Sequence, residues 1–207
     1  MSRESNLFDK EMKKVGRIMG VSCDVYRPDY TASDQSGTLV LSDKYRMDTQ
    51  ALRYLEPAFP GVYAFEIFGD RKNTMAGDVI LPLTTADGSA VTVMHVAPMK
   101  AMVGILTDSV GKIRESVEDS VLYTNVRFQW VGPSFPGSGL NDALEDTVKI
   151  PKRKIAMYKR QRIGLADPIR PGMRLVETNN DIEYVWHIVD VVTVNNLTVC
   201  AVRENVE

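Results

Sequence analysis

The sequence predicts a mainly β protein of the α+β class, in which one N-terminal helix precedes two small antiparallel β units of barrel or sandwich type. Residues 5–19 carry the period of an amphipathic helix. From residue 62 onward, short runs of aromatic and β-branched residues alternate with turn-forming residues, as in consecutive strands. The chain has 207 residues, 44% of them hydrophobic and 25% charged, which suits one full-sized soluble domain or two small ones.

The N-terminal helix has a defined beginning, stripe and end. Ser5 or Asn6 can cap it, and Gly20 can take the left-handed conformation that ends a helix. Its apolar stripe consists of Phe8, Met12, Val15 and Met19. Such a helix either lies on its own core or docks into a neighbour, so Phe8 and Met12 are candidate interface residues.

The remaining elements follow from composition and alternation. Residues 28–37 predict a loop, and residues 43–56 predict a short helix that Pro57 stops. Strands are predicted at 62–68, 77–81, 90–96, 102–106, 121–131, 173–177, 182–194 and 197–203. The last three are separated by Asn-containing turns, which supply the positive φ angles that hairpins need. No internal repeat of fixed period is visible.

These elements divide the chain into three parts. Residues 1–40 hold the helix and an extended arm, residues 41–118 a β unit with the short helix, and residues 119–207 a barrel-like unit. A turn-dense loop at 132–139 is expected to project from the last unit and to present Phe135.

A basic segment at 149–162 is the strongest local charge signal, with seven cations and no acid. One interpretation is contact with nucleic-acid phosphates, with Tyr158 stacking on a base. We favour protein contact, because an acidic patch directly upstream makes self-association chemically possible and the net charge is only −2. The candidate interface residues in this region are Lys152, Arg153, Lys154, Lys159, Arg160 and Phe135.

The sequence shows no catalytic motif. It contains no Gly-x-Ser-x-Gly elbow, no phosphate-binding loop and no dinucleotide fingerprint. His95 and His187 lie far apart inside strands and are interpreted as structural residues. We therefore expect no enzyme, no catalytic residue, no metal and no cofactor. The alternative is hydrolysis of cell-wall glycan by a carboxylate pair such as Glu118–Asp119 or Glu145–Asp146.

The two cysteines indicate the compartment. Cys23 and Cys200 have apolar neighbours and are expected to be buried free thiols in a reducing environment. The N-terminus lacks a basic region followed by an apolar run, and no apolar run approaches the roughly 20 residues that span a bilayer. We expect synthesis and folding in a cytoplasm, and no membrane association.

Three stretches together resemble a family of small virion structural proteins of tailed bacteriophages. The first is Val15-Gly16-Arg17-Ile18-Met19-Gly20 followed by Asp24-Val25-Tyr26-Arg27-Pro28. The second is Gly77-Asp78-Val79-Ile80. The third is the pair of apolar strands on either side of Pro98, from Val91 to Leu106.

The resemblance implies a structural component of a phage particle near the tail axis. It would form a homo-oligomeric ring or collar with other tail, baseplate or neck proteins, and the baseplate or tail-tube end is favoured. The alternative is a neck protein, a head–tail connector or stopper near the portal, where contact with exiting DNA is conceivable but not favoured. The implied location is the virion, and the resemblance carries over no active residues.

Overall fold

The computed structural model of the chain describes residues 3–48, 62–84, 89–98, 100–115, 120–131, 153–158, 169–179, 181–194 and 196–204. Its helix is α1 (Arg3–Met19). Its strands are β1 (Val21–Arg27), β2 (Thr38–Asp48), β3 (Ala64–Phe68), β4 (Val79–Pro82), β5 (Ala90–His95), β6 (Met102–Thr107), β7 (Ser109–Arg114), β8 (Val121–Trp130), β9 (Arg153–Tyr158), β10 (Arg174–Asn179), β11 (Ile182–Val194) and β12 (Leu197–Glu204). The mainly β fold with one N-terminal helix is confirmed.

The chain forms two compact units. The first comprises Met1–Asp29, Ser36–Leu55 and Tyr63–Asp108, and the second comprises Tyr30–Gln35, Glu56–Val62 and Ser109–Glu207. Each unit contains a closed six-stranded antiparallel barrel, here called the first barrel (β1–β6) and the second barrel (β7–β12). The contacts thus divide the two barrels between residues 108 and 109, whereas the sequence analysis divides the β units between 118 and 119.

The two barrels have the same topology. Around the first barrel the strands follow the order β1-β2-β3-β6-β5-β4, and around the second the order is β7-β8-β9-β12-β11-β10. In each barrel the first three strands are neighbours in chain order. The last three strands continue around the barrel in the reverse of chain order, which brings the fourth strand beside the first. Closure pairs every strand on both sides, which removes the free edges at which sheets aggregate.

The same tight turn leads into the fourth strand of each barrel. Residues 75–78 and 170–173 each close with a bond from the last N–H to the first carbonyl, at 3.1 and 3.3 Å. The third residue of each turn is a glycine, with φ of 95° and 94°. This glycine donates its N–H to the carbonyl of Val93 in one barrel and of Ile188 in the other. The glycine is the one residue the two turns share, which is why the repeat is invisible in the sequence.

Each barrel has its own apolar core on the inward positions of its strands. The core cluster of the first barrel contains Cys23, Val25, Tyr45, Ile67, Ile80, Val91, Val93 and Met102. The core cluster of the second barrel contains Ile113, Tyr123, Val126, Phe128, Ile155, Met157, Ile169, Met173, Leu175, Trp186, Ile188, Cys200 and Val202. Burial of these side chains supplies the main free energy that holds each barrel.

The predicted short helix at 43–56 is wrong for residues 43–48, which belong to β2. Val21 to Val25 of β1 pair with Tyr45 to Leu41, and the last residues of β2 pair with β3. The apolar spacing in this stretch fits a helix, but Tyr45 is fully buried between Lys44 and Arg46, which is the two-residue period of a strand. Residues 49–56 lie outside the described residues.

Two further differences concern the second barrel. Strand β7 was not predicted, because Gly111 and Lys112 weaken the apolar pattern of a strand that pairs with both β8 and β10. Within the basic segment, residues 153–158 form β9, and Ile155 and Met157 are fully buried. This part of the segment is therefore a strand of the second barrel.

Candidate functional site

Helix α1 lies on β2 and β3 of its own barrel, and it does so through a glycine. A Cβ on Gly16 would lie 2.7 Å from the carbonyl oxygen of Phe68 and 2.8 Å from that of Lys44. Only a residue without a side chain allows helix and strand backbones to approach this closely. The helix ends where Gly20 donates its N–H to the Gly16 carbonyl.

The docked face of α1 is ionic. Lys13 donates a hydrogen bond to Asp70, and its Nζ also lies 3.4 Å from the Asp43 carboxylate. Burial by itself would raise the pKa of Asp70, but hydrogen bonds from Lys13 and Asn73 outweigh it and hold that pKa below its usual value. The hydrogen bond to Asp70 correspondingly raises the pKa of Lys13. The carboxylate and the ammonium therefore both stay charged at neutral pH.

Phe8 also contacts the helix's own barrel. The Arg71 guanidinium lies 5.2 Å from the centre of the Phe8 ring and 3.1 Å from the Asp9 carboxylate. Phe8 and Met12 are half-buried. The sequence left open whether the helix lies on its own core or on a neighbour, and the structure shows it on its own barrel.

Three apolar side chains of α1 nevertheless point to solvent. Leu7 is 57% exposed, Ile18 72% and Met19 62%. The predicted apolar stripe is therefore wrong at Met19, which lies on the outer side of the helix. Val21, at the start of β1, is 44% exposed, and Leu83, whose N–H bonds to the carbonyl of the next residue Ser22, is 58% exposed. Ile18, Met19, Val21 and Leu83 together are called the junction surface.

The predicted residues of the basic segment fall in different places. Arg153 and Lys154 lie at the start of β9, with exposed side chains. Lys152, Lys159, Arg160 and Phe135 lie outside the described residues.

Arg153 covers an aromatic cluster in the second barrel. Its guanidinium carbon lies 5.3 Å from the ring centre of Trp186 and 5.8 Å from that of Trp130. The two indoles meet edge to face, with ring centres 4.9 Å apart, and Phe128 packs against Trp130. Arg153 precedes the buried Ile155 by two positions, so it lies on the same face of β9 but at the exposed start of the strand, whereas Lys154 lies on the opposite face.

We expect Arg153→Ala to lower the free energy of unfolding of the second barrel by about 1–2 kcal/mol, because the cation covers two aromatic faces. Lys154→Ala removes the same charge one residue away, and it should change the stability by less than about 0.5 kcal/mol. Both tryptophans of the chain belong to this cluster, so intrinsic tryptophan fluorescence during urea unfolding follows this barrel. Equal effects of the two substitutions would contradict a stabilising contact between Arg153 and the two tryptophans.

The stretches that carry the phage resemblance meet in the first barrel. Arg27, at the end of β1, donates two hydrogen bonds to the Asp78 carboxylate, both of 2.8 Å. Asp78 is 1% exposed and also accepts the N–H of Met75. Its backbone carbonyl accepts the N–H of Val93, in the third stretch. The sequence gives no local signal for the Arg27–Asp78 pair, because 50 residues separate the partners.

A related ion pair, with reversed charges, links the corresponding segments of the second barrel. Glu115, just after β7, accepts a 2.8 Å hydrogen bond from Arg170, in the turn before β10. The side chain of Arg170 is 64% exposed, whereas Asp78 in the first barrel is buried. Each barrel thus ties the end of its first strand to the turn before its fourth.

The titratable residues singled out in the sequence are spread over both barrels. His95 is exposed on β5, and His187 is half-buried on β11. Cys23 and Cys200 are buried and not joined in a disulfide, and burial raises the pKa of Cys23 to about 11. In the described ranges, no three His, Cys, Asp or Glu side chains come together as a set that could hold a metal ion. Among the same residues, no helix combines the length and apolar character needed to cross a membrane.

No protein-family model matches the chain, and no curated protein matches it.

Proposed function

We propose that the chain is a structural virion protein of a tailed bacteriophage, which assembles with copies of itself into a ring or collar at the baseplate or tail-tube end. The observation that carries the proposal is the outward apolar side of α1. Leu7, Ile18 and Met19 on this helix are each more than half exposed, so they do not belong to the core of its own barrel.

The junction surface is suited to association between subunits. Single exposed apolar residues are common on proteins, but neighbouring ones mark interaction sites more often. Here Ile18, Met19 and Val21 lie within four positions of the chain, and the backbone of Leu83 is bonded to Ser22, which follows Val21. Methionine adds an unbranched side chain that adapts to a partner's shape.

The contacts around this surface favour a fixed geometry, which ring assembly needs. Arg46 donates from its guanidinium to the Met19 sulfur at 3.1 Å and lies 3.3 Å from Asp48. Helix α1 is held in position on β2 and β3, because Gly16 lies against the strand backbone and Lys13 is bonded to Asp70. A subunit docking here would meet a surface that is already ordered, which lowers the entropic cost of binding.

The test is assembly of the purified chain and of the Ile18→Asp, Met19→Asp double variant. We expect the unchanged chain to form a defined oligomer in sedimentation velocity at rising concentration, because association buries the exposed apolar side chains. The double variant should remain monomeric and should be excluded from phage particles, since a carboxylate is costly to bury.

The matched control is Lys10→Asp, Lys14→Asp, which adds two carboxylates to the same helix at exposed positions outside the junction surface. It should still associate. An unchanged chain that stays monomeric at all concentrations and is absent from purified particles would overturn the proposal, as would normal incorporation of the junction variant.

A further inference from the structure

A segment between β1 and β2 forms part of the second unit. It is Tyr30–Gln35, here called the strap. The Ser33 carbonyl accepts the N–H of Thr124 at 2.8 Å, and the N–H of Gln35 donates to the Thr124 carbonyl at 3.2 Å. These bonds form a parallel bridge between Asp34 and Thr124. Strand β8 therefore has a short extra neighbour that is not one of the six strands of its barrel.

The strap contacts both β8 and β9, whose own ladder is short. In the described residues these strands pair at two positions, near the end of β8 and the beginning of β9. Away from this ladder, the Asn125 side chain donates a 2.8 Å hydrogen bond to the Asp34 carboxylate. The Tyr30 ring packs on the ring of Tyr158, the last residue of β9, with centres 4.6 Å apart. The strap therefore links β8 to β9 beyond their own ladder.

The chain leaves and re-enters the first unit at one closed point. Arg27, at the end of β1, is fixed by its two hydrogen bonds to the Asp78 carboxylate. Gly37, on the other side of the strap, has a φ of 80°. A Cβ on Gly37 would lie 2.9 Å from the backbone of both Arg27 and Pro28. Glycine is required here both for its positive φ and for this close approach.

The joints between this closed point and the strap leave little slack. Asp29 alone separates Pro28 from the strap, and Ser36 alone separates the strap from Gly37. Because an extended chain spans at most about 3.6 Å per residue, each joint reaches about 7 Å. A hydrogen bond is lost when its atoms separate by about 1 Å more. If the closed point opens, the strap must therefore move with it or lose its bonds to β8.

We propose that the strap couples the two barrels. While the β1–β2 connection is closed at Gly37, the strap stays on Thr124 and links β8 to β9. A change that opens the connection releases the strap, which weakens the second barrel without altering any of its strands. The strap is the element with two arrangements that such coupling needs, bound to β8 or released. The inference concerns this segment alone and does not depend on the proposed virion function.

Gly37→Ala tests the coupling from the first unit. Its methyl group would clash with the Arg27 and Pro28 backbone, and alanine disfavours the positive φ, so the connection must open. We expect the Thr124 amide, which its bond to Ser33 protects, to exchange with deuterium about tenfold faster, as expected for the loss of about one hydrogen bond. Tryptophan fluorescence, which follows the second barrel, should show unfolding at a lower urea concentration.

Two further variants separate release of the strap from general destabilisation. Thr38→Ala changes the next residue, which is exposed, and should leave the Thr124 exchange rate unchanged. A Gly-Ser-Gly insertion after Ser36 lengthens one joint by about 10 Å. Added to Gly37→Ala, the insertion should restore slow exchange at Thr124, because the strap then stays on β8 while Gly37 moves. General destabilisation by the substitution would not be reversed in this way.

The coupling also predicts an effect in the reverse direction, since coupling free energies are reciprocal. Tyr30→Ser, Asp34→Ala removes the ring contact and the carboxylate of the strap. It should speed exchange both at Thr124 and at the start of β2. Ser33→Ala is its matched control, because it keeps the backbone carbonyl that accepts the Thr124 N–H. This pair of variants serves if Gly37→Ala does not fold.

Three results would overturn the proposal. The first is faster exchange in β1 and β2 of Gly37→Ala while Thr124 exchange and tryptophan unfolding stay unchanged. The second is an effect of Gly37→Ala on Thr124 that the insertion after Ser36 does not reverse. The third is faster exchange at Thr124 in Tyr30→Ser, Asp34→Ala with no change at the start of β2. Each would show that the strap belongs to the second unit without coupling it to the first.

Discussion

Replacing Arg27 with methionine is expected to lower the free energy of unfolding of the first barrel by about 2–4 kcal/mol. The substitution keeps the apolar stem but removes both guanidinium bonds from the Asp78 carboxylate, which is 1% exposed. Within the described part of the chain, the N–H of Met75 is then its remaining donor. Removing one partner of a fully buried ion pair costs about 3–5 kcal/mol. The side chain of Arg27 is 39% exposed, so solvent screening makes the expected loss of stability smaller than that for a fully buried pair.

Urea unfolding followed by circular dichroism measures this change, and hydrogen exchange of β1 and β4 shows where it occurs. The matched control is Arg170→Met, because Arg170 belongs to the corresponding pair of the second barrel. Its exposed pair with Glu115 should contribute only about 0–1 kcal/mol. If both substitutions had the same small effect, burial of Asp78 would not be what makes the first pair matter.

The sequence predicts well those elements whose signal is local. Helix α1 and most strands emerge from apolar period and turn residues, because a barrel strand with one buried face must alternate. The apolar period gives the wrong element where one residue fits both a helical and a strand spacing. Met47 fits a helical spacing with residues further along the chain, yet it follows the buried Tyr45 in β2 at strand spacing. Pairing with β1 and β3 decides the outcome, and no local window contains that information.

The candidate surfaces depend on contacts between distant residues, which the sequence does not show. The basic segment looks uniform in sequence, but strand alternation turns Arg153 toward the tryptophans and Lys154 to solvent. The alignment of Arg114, Arg174, His187 and Arg203 across four strands is harder still to find, because only the register makes them neighbours. The repeated topology is hidden for a similar reason, since strand order and one turn glycine are kept while the side chains differ.

Gly16→Ala is expected to destabilise the first unit, although alanine is the better helix former. In an exposed helix interior this substitution stabilises by about 0.5–1 kcal/mol, since glycine has the greater backbone freedom to lose on folding. At Gly16 the added methyl group would meet the Phe68 and Lys44 carbonyl oxygens at 2.7 and 2.8 Å. These are strand backbone atoms that cannot turn away, so α1 must shift outward. Overpacking of this kind costs about 1–3 kcal/mol, which reverses the sign of the propensity effect.

Denaturant unfolding of Gly16→Ala measures the sign of the change in the free energy of unfolding. Lys14→Gly is measured beside it as the control. Lys14 lies on the exposed side of the same helix, so that control measures the helix propensity of glycine without any clash. An outward shift of α1 should also weaken the Lys13–Asp70 bond, which hydrogen exchange at the start of the loop after β3 would reveal. A more stable Gly16→Ala chain would mean that the helix is not held against the strand backbone, and the fixed junction surface required for assembly would lose its support.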